Sequence, residues 1–421
     1  MMADKILPFG KEKIAEIIKK NPTPFHIYDE LAIRQNARKF LKAFSALEGF
    51  KQFFAVKATP NPFILKIMQQ EGFGVDCSSY SELVMAEKVG FKGEEIMFSS
   101  NDTPEEDMRK AKEIGAIINL DDISHIDFLE KMAGLPDLVC LRYNPGPMRK
   151  GNQIIGKPEE AKYGLTKEQM LEAYKMLMEK GVKRFGMHTM IMSNELHNEY
   201  FIETARMMFE LAVEAFNETG IKVEFINLGG GIGIAYRPED EPVSYSKVAD
   251  GIKDEYDKVM IKNNLNHVRV FTECGRVITG PYGYLVAKTI HMKHTYRHYV
   301  GTDASMANLM RPGMYGAYHH ITVLGKENKP CDYVYDVTGS LCENNDKFAI
   351  NRKLPEIEAG DILVIHDTGA HGFAMGFNYN GKLRSAELML RPDGSVINIR
   401  RAETVEDYLS TLDFNSLKNF S

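Results

Sequence analysis

The first candidate for chemistry is a lysine that closes an apolar segment. Lys57 lies in the run FFAVKA, which begins at Phe53 and is otherwise apolar. If this lysine is desolvated, its amine has a lowered pKa and can form a Schiff base with a carbonyl group. If the segment ends in solvent, Lys57 is an ordinary exposed lysine, and the residues alone leave both interpretations open.

A glycine-rich segment is the second candidate. NLGGGIG follows an apolar segment, and Gly229, Gly230 and Gly231 would let backbone amides approach a phosphate closely. A flexible turn is the alternative. The segment lacks the GxGxxG pattern in a chain-initial strand–helix unit, so we set aside a dinucleotide-binding fold.

The third candidate is a carboxylate near a guanidinium. In TECGR, Glu273 and Arg276 lie at the end of one apolar segment. They could form a structural ion pair. Alternatively, Glu273 faces the ring nitrogen of a cofactor and Arg276 binds a carboxylate or phosphate. Together with Lys57 and the glycines, these are the groups that pyridoxal phosphate requires.

The histidines at His291, His294 and His298, and the pair His319–His320, match no standard metal-ligand spacing. We therefore expect no metal site.

Composition narrows the class of protein. The chain has 421 residues, which favours two domains, and its net charge of −6 gives no support for a nucleic-acid partner. The N-terminus does not resemble a secretory signal, and no apolar stretch is long enough to suggest a membrane span. The five cysteines show no CxxC spacing, so we expect reduced thiols and a cytoplasmic protein.

Short apolar segments alternate with helical patterns from about residue 50, and Glu199–Phe216 is the clearest helix. Eight strand–helix units predict an α/β fold with a parallel (β/α)₈ barrel of the TIM type. The predicted strands are Phe53–Ala58, Gly74–Ser79, Ile96–Ser100, Ala116–Asp121, Leu138–Tyr143, Arg184–Thr189, Val223–Leu228 and Val268–Glu273.

The texture changes after about residue 285, where strand-like segments follow one another with few helical patterns. We predict a barrel over residues 25–284 and a C-terminal, mostly β domain over 285–421, joined by the N-terminal segment 1–24. In a barrel, chemistry lies at the C-terminal ends of the strands. That rule brings together Lys57, Asp76, His188, the three glycines and the Glu273 segment.

Seven motifs in order over most of the chain resemble those of the barrel-type pyridoxal-phosphate decarboxylases that act on diaminopimelate and ornithine. The motifs are FFAVKATPNP, GVDCSSYSEL, NLGGGIG, TECGR, RPGMYGAYH, GSLCENND and HDTGAHGFAMGFNYNGKLRSAE.

The resemblance implies a role for each matching residue. Lys57 would bind pyridoxal phosphate covalently, and Glu273 would face its pyridine nitrogen. Arg276, Arg311 and Tyr315 would bind a distal substrate carboxylate, with Glu343 binding the distal amine. Cys342 would protonate the carbanion. The other implied cofactor-binding residues are Asp76, His188, Ser193, Gly229, Gly230, Gly231, Gly275 and Tyr379, of which Tyr379 would also touch substrate. In similar enzymes Cys342 and Glu343 come from the neighbouring subunit, so a homodimer with active sites at the interface is implied.

Two positions depart from the family pattern. Met190 stands where the family carries a histidine stacked on the cofactor ring, and His188 lies two residues back, about 6.6 Å deeper along the strand. Met190 could cover the ring through its thioether. Cys274 replaces the usual proline of the Glu-Pro-Gly-Arg signature, which concerns the geometry of the loop.

A carboxylate that keeps the pyridine nitrogen protonated favours decarboxylation over racemisation. A clamp for a far carboxylate, Arg311 with Tyr315, together with Glu343, favours meso-diaminopimelate as substrate, which gives lysine and CO₂ in lysine biosynthesis. The alternatives are a decarboxylase of carboxynorspermidine, D-ornithine or lysine, and a non-catalytic homologue.

Overall fold

The structure is a computed structural model that describes residues 5–151, 154 and 156–420. Residues 1–4 and 421, at the ends of the predicted ranges 1–24 and 285–421, therefore lie outside the described part. The described residues form two compact units. The first contains residues 32–235 and 239–280, and the second contains residues 5–31, 236–238 and 281–420. The predicted domain limits, 25–284 and 285–421, stay a prediction.

Strand β1 (Phe25–Asp29) belongs to the second unit, and the next eight strands form a closed parallel barrel in the first. Strand β9 closes the barrel by pairing with β2, with Lys51 opposite Phe271. The barrel strands are β2 (Lys51–Ala55), β3 (Gly74–Cys77), β4 (Ile96–Ser99), β5 (Ile117–Leu120), β6 (Leu138–Tyr143), β7 (Arg184–Thr189), β8 (Val223–Asn227) and β9 (Arg269–Thr272). The predicted barrel and its eight strands are confirmed.

A helix follows each barrel strand. Caps explain where several begin: Asn61 accepts a hydrogen bond from the Phe63 amide with Pro62 at the first helical position, and Thr166 forms a capping box with Gln169. The predicted helix Glu199–Phe216 is Asn198–Thr219 in the structure. The α-helices are α1 (Lys11–Ile18), α2 (Glu30–Ala43), α3 (Pro62–Gln70), α4 (Tyr80–Val89), α5 (Glu105–Glu113), α6 (His125–Ala133), α7 (Lys167–Glu179), α8 (Asn198–Thr219), α9 (Tyr245–Tyr256), α10 (Arg276–Thr279), α11 (Arg311–Tyr315) and α12 (Val405–Leu409).

The barrel is packed with apolar side chains rather than open. Phe225 and Phe271 stack with ring centroids 4.5 Å apart, and Phe53 lies 5.4 Å from Phe271. Met97, Ile117, Leu138 and Cys140 complete this buried cluster. Burial of such side chains stabilises the barrel and gives the strand ends a rigid support.

The second unit is built on a nine-stranded sheet, as the β-rich texture predicted. Strand β1 lies in the middle, antiparallel to β10 and parallel to β16. The remaining strands are β10 (Gly283–His294), β11 (His298–Thr302), β12 (Ile321–Val323), β13 (Tyr333–Thr338), β14 (Lys347–Leu354), β15 (Ile362–Ile365), β16 (Ala386–Leu390) and β17 (Val396–Arg400). Within the described ranges, no helix is both long enough and apolar enough to span a membrane.

Candidate active site

Lys57 lies one turn beyond the first barrel strand. Strand β2 ends at Ala55, and Val56–Ala58 form a 3₁₀ turn that carries Lys57. The lysine side chain is exposed rather than desolvated, so its position beside acidic groups, and not burial, sets it apart from other lysines. Burial raises the pKa values of Asp76 and Glu82, and the positive charge of Lys57 acts against that rise and helps to lower the pKa of Glu273. An accessible amine close to acidic groups is therefore the first part of the site.

Glu273 is buried directly after β9 and is held by two side chains. Its Oε2 accepts hydrogen bonds from His188 Nε2 at 3.0 Å and from Asn227 Nδ2 at 3.2 Å. Burial opposes ionisation of Glu273, but the charge and hydrogen bond of His188, with Lys57 and Arg142, hold its pKa below the usual range. Glu273 is thus a fixed carboxylate inside the barrel mouth.

Asp76 behaves in the opposite way. Burial raises its pKa, and the neighbouring charge of Glu273 raises it further, while Lys57 and a hydrogen bond with Ser99 act against the rise. Asp76 Oδ1 and His188 Nδ1 are buried and have no hydrogen-bond partner among the residues that the structure describes. Two carboxyls whose pKa values move apart can serve as a protonated and an ionised group in one site.

The glycine segment crosses the end of β7 at a distance that admits no side chain. Gly229 and Gly231 have φ of 75° and 91°, in the left-handed region. A Cβ atom on Gly229 would lie 2.2 Å from the carbonyl oxygen of Thr189, and one on Gly231 would lie 2.4 Å from that of Met192. The glycines are therefore required by the backbone, whatever else the segment binds.

Met190 packs on this segment. The Gly229 amide donates to Asn227 Oδ1 at 2.9 Å, and the Gly230 amide donates to the Met190 sulfur at 3.3 Å. A thioether is a weak acceptor, so a stronger acceptor such as a phosphate oxygen could replace it. Beside the segment, Arg276 Nη2 donates to Ser193 Oγ at 3.3 Å, which brings these two predicted residues together.

The cysteine that replaces the family's proline has a structural explanation. The Cys274 amide donates to Gln52 Oε1 at 3.3 Å, and Gln52 Nε2 donates to the Cys274 carbonyl at 2.7 Å. Proline has no amide hydrogen for the first bond. Next in the loop, a Cβ on Gly275 would lie 2.7 Å from Ala58 Cβ. The Glu273 loop is thus fixed against β2 and the turn that carries Lys57.

The remaining predicted residues lie in the second unit. Arg311 begins α11, which ends at the half-buried Tyr315. Arg311 is buried, its Nη1 donates to His319 Nε2 at 2.8 Å, and its guanidinium lies 4.4 Å from the centre of the Tyr236 ring. A fixed guanidinium of this kind can bind a carboxylate.

Cys342 and Glu343 lie in the loop between β13 and β14. Cys342 is exposed, and its amide donates to Asn380 Oδ1 at 2.7 Å, beside Tyr379, which is 52% exposed. Glu343 Oε1 accepts a hydrogen bond from the Asn345 amide at 2.9 Å. The structure therefore holds the loop of Cys342 and Glu343 against Asn380, the residue that follows Tyr379, within the second unit.

Sequence reasoning missed three polar residues that support the first unit's site: Asn227, Gln52 and Arg142. Asn227 and Gln52 could have been noticed, because each is a buried amide next to apolar residues near one end of a barrel strand. Arg142 bonds Asp121 and Asn101 and contributes charge at Glu273. No sequence signal separated it from an ordinary strand-end arginine.

The donor set of the first unit fits pyridoxal phosphate. It offers an accessible amine, a fixed carboxylate, a second carboxyl with an unpaired oxygen, and a glycine segment beside an arginine and a serine. Together with a closed parallel barrel, these groups define a barrel-type pyridoxal-phosphate enzyme.

Comparison with known proteins gives the family. The model for the pyridoxal-binding domain of pyridoxal-dependent decarboxylases matches residues 31–280. The chain belongs to this family and is a pyridoxal-phosphate-dependent amino-acid decarboxylase.

Similar proteins cover nearly the whole chain. Protein TabA of Pseudomonas amygdali pv. tabaci is 43% identical, over 96% of this chain and 95% of its own length. The diaminopimelate decarboxylase of Methanothermobacter thermautotrophicus is 34% identical, over 96% and 94%. The crystal structure of diaminopimelate decarboxylase from M. jannaschii with L-lysine is 31% identical, covers 95% and 94%, and superposes with a TM-score of 0.88.

Proposed function

We propose that this enzyme decarboxylates meso-diaminopimelate to lysine and CO₂ as a step of lysine biosynthesis. The observation that carries this proposal is the buried, fixed guanidinium of Arg311, which suits a substrate with a carboxylate at its far end. The diaminopimelate decarboxylases at 31–34% identity support the same substrate.

In the proposed site, Lys57 binds the cofactor covalently through its exposed amine. When bound, pyridoxal phosphate supplies an electron sink for the bond that loses CO₂. Glu273 remains ionised in its pocket of His188 and Asn227 and holds a proton on the pyridine nitrogen. Asp76, with its raised pKa, and His188, through its contact with Glu273, are the other polar groups assigned to the ring.

The phosphate is assigned to the glycine segment, with Arg276 and Ser193 beside it. Of the three glycine amides, that of Gly229 already donates to Asn227, so its role is structural. The Gly230 amide, which faces only the weak Met190 acceptor, is the better donor for a phosphate oxygen. Gly275 and Tyr379 are also assigned to the cofactor, and Tyr379 is assigned to the substrate as well.

The far end of the substrate is assigned to Arg311 and Tyr315 for the carboxylate and to Glu343 for the amine. A buried arginine without partners would require an anion for stability, but Arg311 already bonds His319 and stacks on Tyr236. The carboxylate is favoured because the guanidinium of Arg311 is a charged hydrogen-bond donor held in a fixed orientation.

We further propose that Cys342 donates a proton to the α-carbon that has lost its carboxylate, and that it does so in the neighbouring subunit of a homodimer. Cys342 is exposed in the single chain. A proton donor that must be sheltered from water during the reaction is therefore expected to be covered by a second chain.

A second candidate function is decarboxylation of another basic amino acid, such as carboxynorspermidine, D-ornithine or lysine. The identity to Protein TabA, 43%, exceeds that to the diaminopimelate decarboxylase of M. thermautotrophicus, 34%. Met190 in place of the ring-stacking histidine is a further difference from the family pattern.

The test is removal of the clamp. Arg311→Ala should raise the KM for meso-diaminopimelate by about 30- to 150-fold, since a charge-assisted hydrogen bond contributes about 2–3 kcal/mol. The visible spectrum of the bound cofactor should not change. Arg311→Lys should recover only part of the loss, because lysine cannot form paired hydrogen bonds.

Arg297→Ala is the matched control, since it removes an arginine that pairs with Asp336 and has no assigned role. An unchanged kcat/KM for meso-diaminopimelate in Arg311→Ala would remove the basis for this substrate and favour the second candidate.

A further inference from the structure

Arg311 is held by two side chains that have no assigned role in this enzyme. Arg311, His319 and Tyr236 lie in the second unit and are 3%, 0% and 6% exposed. Burial to this degree leaves few alternative rotamers, so each side chain constrains the others.

The hydrogen bonds of His319 determine which of its nitrogens carries a proton. His319 Nδ1 lies 2.8 Å from the carbonyl oxygen of His366, which can only accept, so Nδ1 carries the hydrogen. In the neutral ring, Nε2 is then an acceptor, and it receives the Nη1–H of Arg311 at 2.8 Å. A guanidinium can only donate, so both hydrogen bonds run in one direction: Arg311 donates to His319, and His319 donates to the carbonyl oxygen of His366.

Tyr236 constrains the face of the same guanidinium. The Arg311 guanidinium carbon lies 4.4 Å from the centre of the Tyr236 ring, which is within the range of a cation–π contact. The ring of Tyr236 also meets His319 edge-on, with centroids 5.0 Å apart and planes at 67°. His319 therefore fixes one edge of the guanidinium, and Tyr236 fixes one of its faces.

Both of these partners are uncharged, and that matters for a carboxylate ligand. A glutamate in place of His319 would also orient Arg311, but its negative charge would repel an incoming carboxylate. Asp367, whose ionisation Arg311 favours, is itself paired with Lys5 at 2.6 Å. His319 and Tyr236 thus orient the arginine without cancelling its charge.

We propose that His319 and Tyr236 are positioning residues that set the specificity of this enzyme for a substrate with a far carboxylate, acting through Arg311. This inference rests on the proposed function, because it requires that Arg311 binds the far carboxylate of meso-diaminopimelate. The two residues touch neither the reacting bond nor the cofactor in this account, so they should affect binding of one end of the substrate only.

The test uses the holoenzyme and compares two ligands. His319→Phe keeps a ring beside Tyr236 but removes the acceptor. It should raise the KM for meso-diaminopimelate by about tenfold or more, which is the loss of one oriented hydrogen bond, with kcat within about twofold. The inhibition constant of cadaverine (1,5-diaminopentane), which has the same spacing between its amines but no carboxylate, should not change.

Rescue separates positioning from packing. His319→Gln restores an acceptor and should recover most of the KM. Tyr236→Leu should behave like His319→Phe, and Tyr236→Phe, which keeps the ring, should recover. His291→Phe is the matched control, because His291 is exposed on β10 and has no assigned role.

Each outcome decides the proposal. Equal weakening of meso-diaminopimelate and cadaverine, a fall in kcat alone, or a glutamine variant no better than phenylalanine would overturn it. If wild type turns over meso-diaminopimelate while His319→Phe keeps the wild-type KM, only the positioning role fails. If wild type does not turn over meso-diaminopimelate, the proposed function fails, and the positioning role fails with it.

Discussion

Glu273→Gln tests the electrostatic part of the site. The substitution keeps the size and hydrogen-bonding shape of the side chain but removes its charge. In the structure, Glu273 accepts from His188 and Asn227, and its pKa is held low although it is buried. The variant should therefore fold and bind cofactor, yet it should no longer stabilise a proton on the pyridine nitrogen.

The magnitude follows from the two contacts. A hydrogen bond to a charged group contributes about 1.5–3 kcal/mol and a neutral one about 0.5–1.5, so each contact loses about 1–1.5 kcal/mol when the charge is removed. Two contacts together give about 2–3 kcal/mol, which is about a 30- to 150-fold lower rate if the carboxylate acts in the transition state. The dissociation constant of pyridoxal phosphate should change by less than about threefold, because the loss belongs to the chemical step.

Single-turnover release of CO₂ gives the rate, and titration of the visible absorbance gives the dissociation constant. Asp76→Asn is the comparison, since the raised pKa of Asp76 means that a neutral side chain resembles its native state more closely. The rate of CO₂ release should fall less in Asp76→Asn than in Glu273→Gln. Equal rates in Glu273→Gln and wild type, or a loss confined to cofactor binding, would refute the role given to Glu273.

Three further predictions follow from the site and the second unit. Lys57→Ala should lose the visible cofactor absorbance, and borohydride should no longer attach the cofactor to the chain; a labelled lysine peptide in the variant would show that another lysine is the attachment point. Mixing Lys57→Ala with Cys342→Ala should restore about a quarter of wild-type activity if sites are shared in a dimer, because random pairing makes half of the dimers mixed and each has one intact site of two. No recovery, with subunit exchange confirmed by mass, would place the whole site in one chain. Burial raises the pKa of Asp367 to about 6, so the stability it contributes is present below about pH 4 and lost as pH rises through 6. Relative to Asp367→Asn, wild type should therefore lose stability on the order of 2–3 kcal/mol between pH 4 and pH 7 in urea unfolding, and parallel pH profiles would contradict this.

The barrel could be predicted because its strands are short apolar segments that alternate with helical patterns, and this pattern depends on local sequence. The exposure of Lys57 could not be. The run FFAVKA has the composition of a continuous strand, but the chain leaves β2 at Ala55 and turns through Val56–Ala58. Whether a residue at a strand end faces solvent depends on the position of the next turn.

The contacts between residues of the site could not be predicted from the sequence either. His188 and Glu273 are 85 residues apart along the chain and meet because β7 and β9 flank β8 in the barrel. Cys274 replaces the proline of the family signature, and the sequence gives no reason for this difference. Only the structure shows that Gln52, on the strand that pairs with β9, uses the amide that a proline would lack.

The most direct test of this account is the substrate preference of the wild-type enzyme. CO₂ release should be measured from meso-diaminopimelate, L-lysine and ornithine with enzyme loaded with pyridoxal phosphate. We expect a kcat/KM for meso-diaminopimelate more than about 100-fold above that for either of the others, because neither, when its α-carbon is at the cofactor, offers a far carboxylate to Arg311. An equal or higher kcat/KM for lysine or ornithine would contradict it.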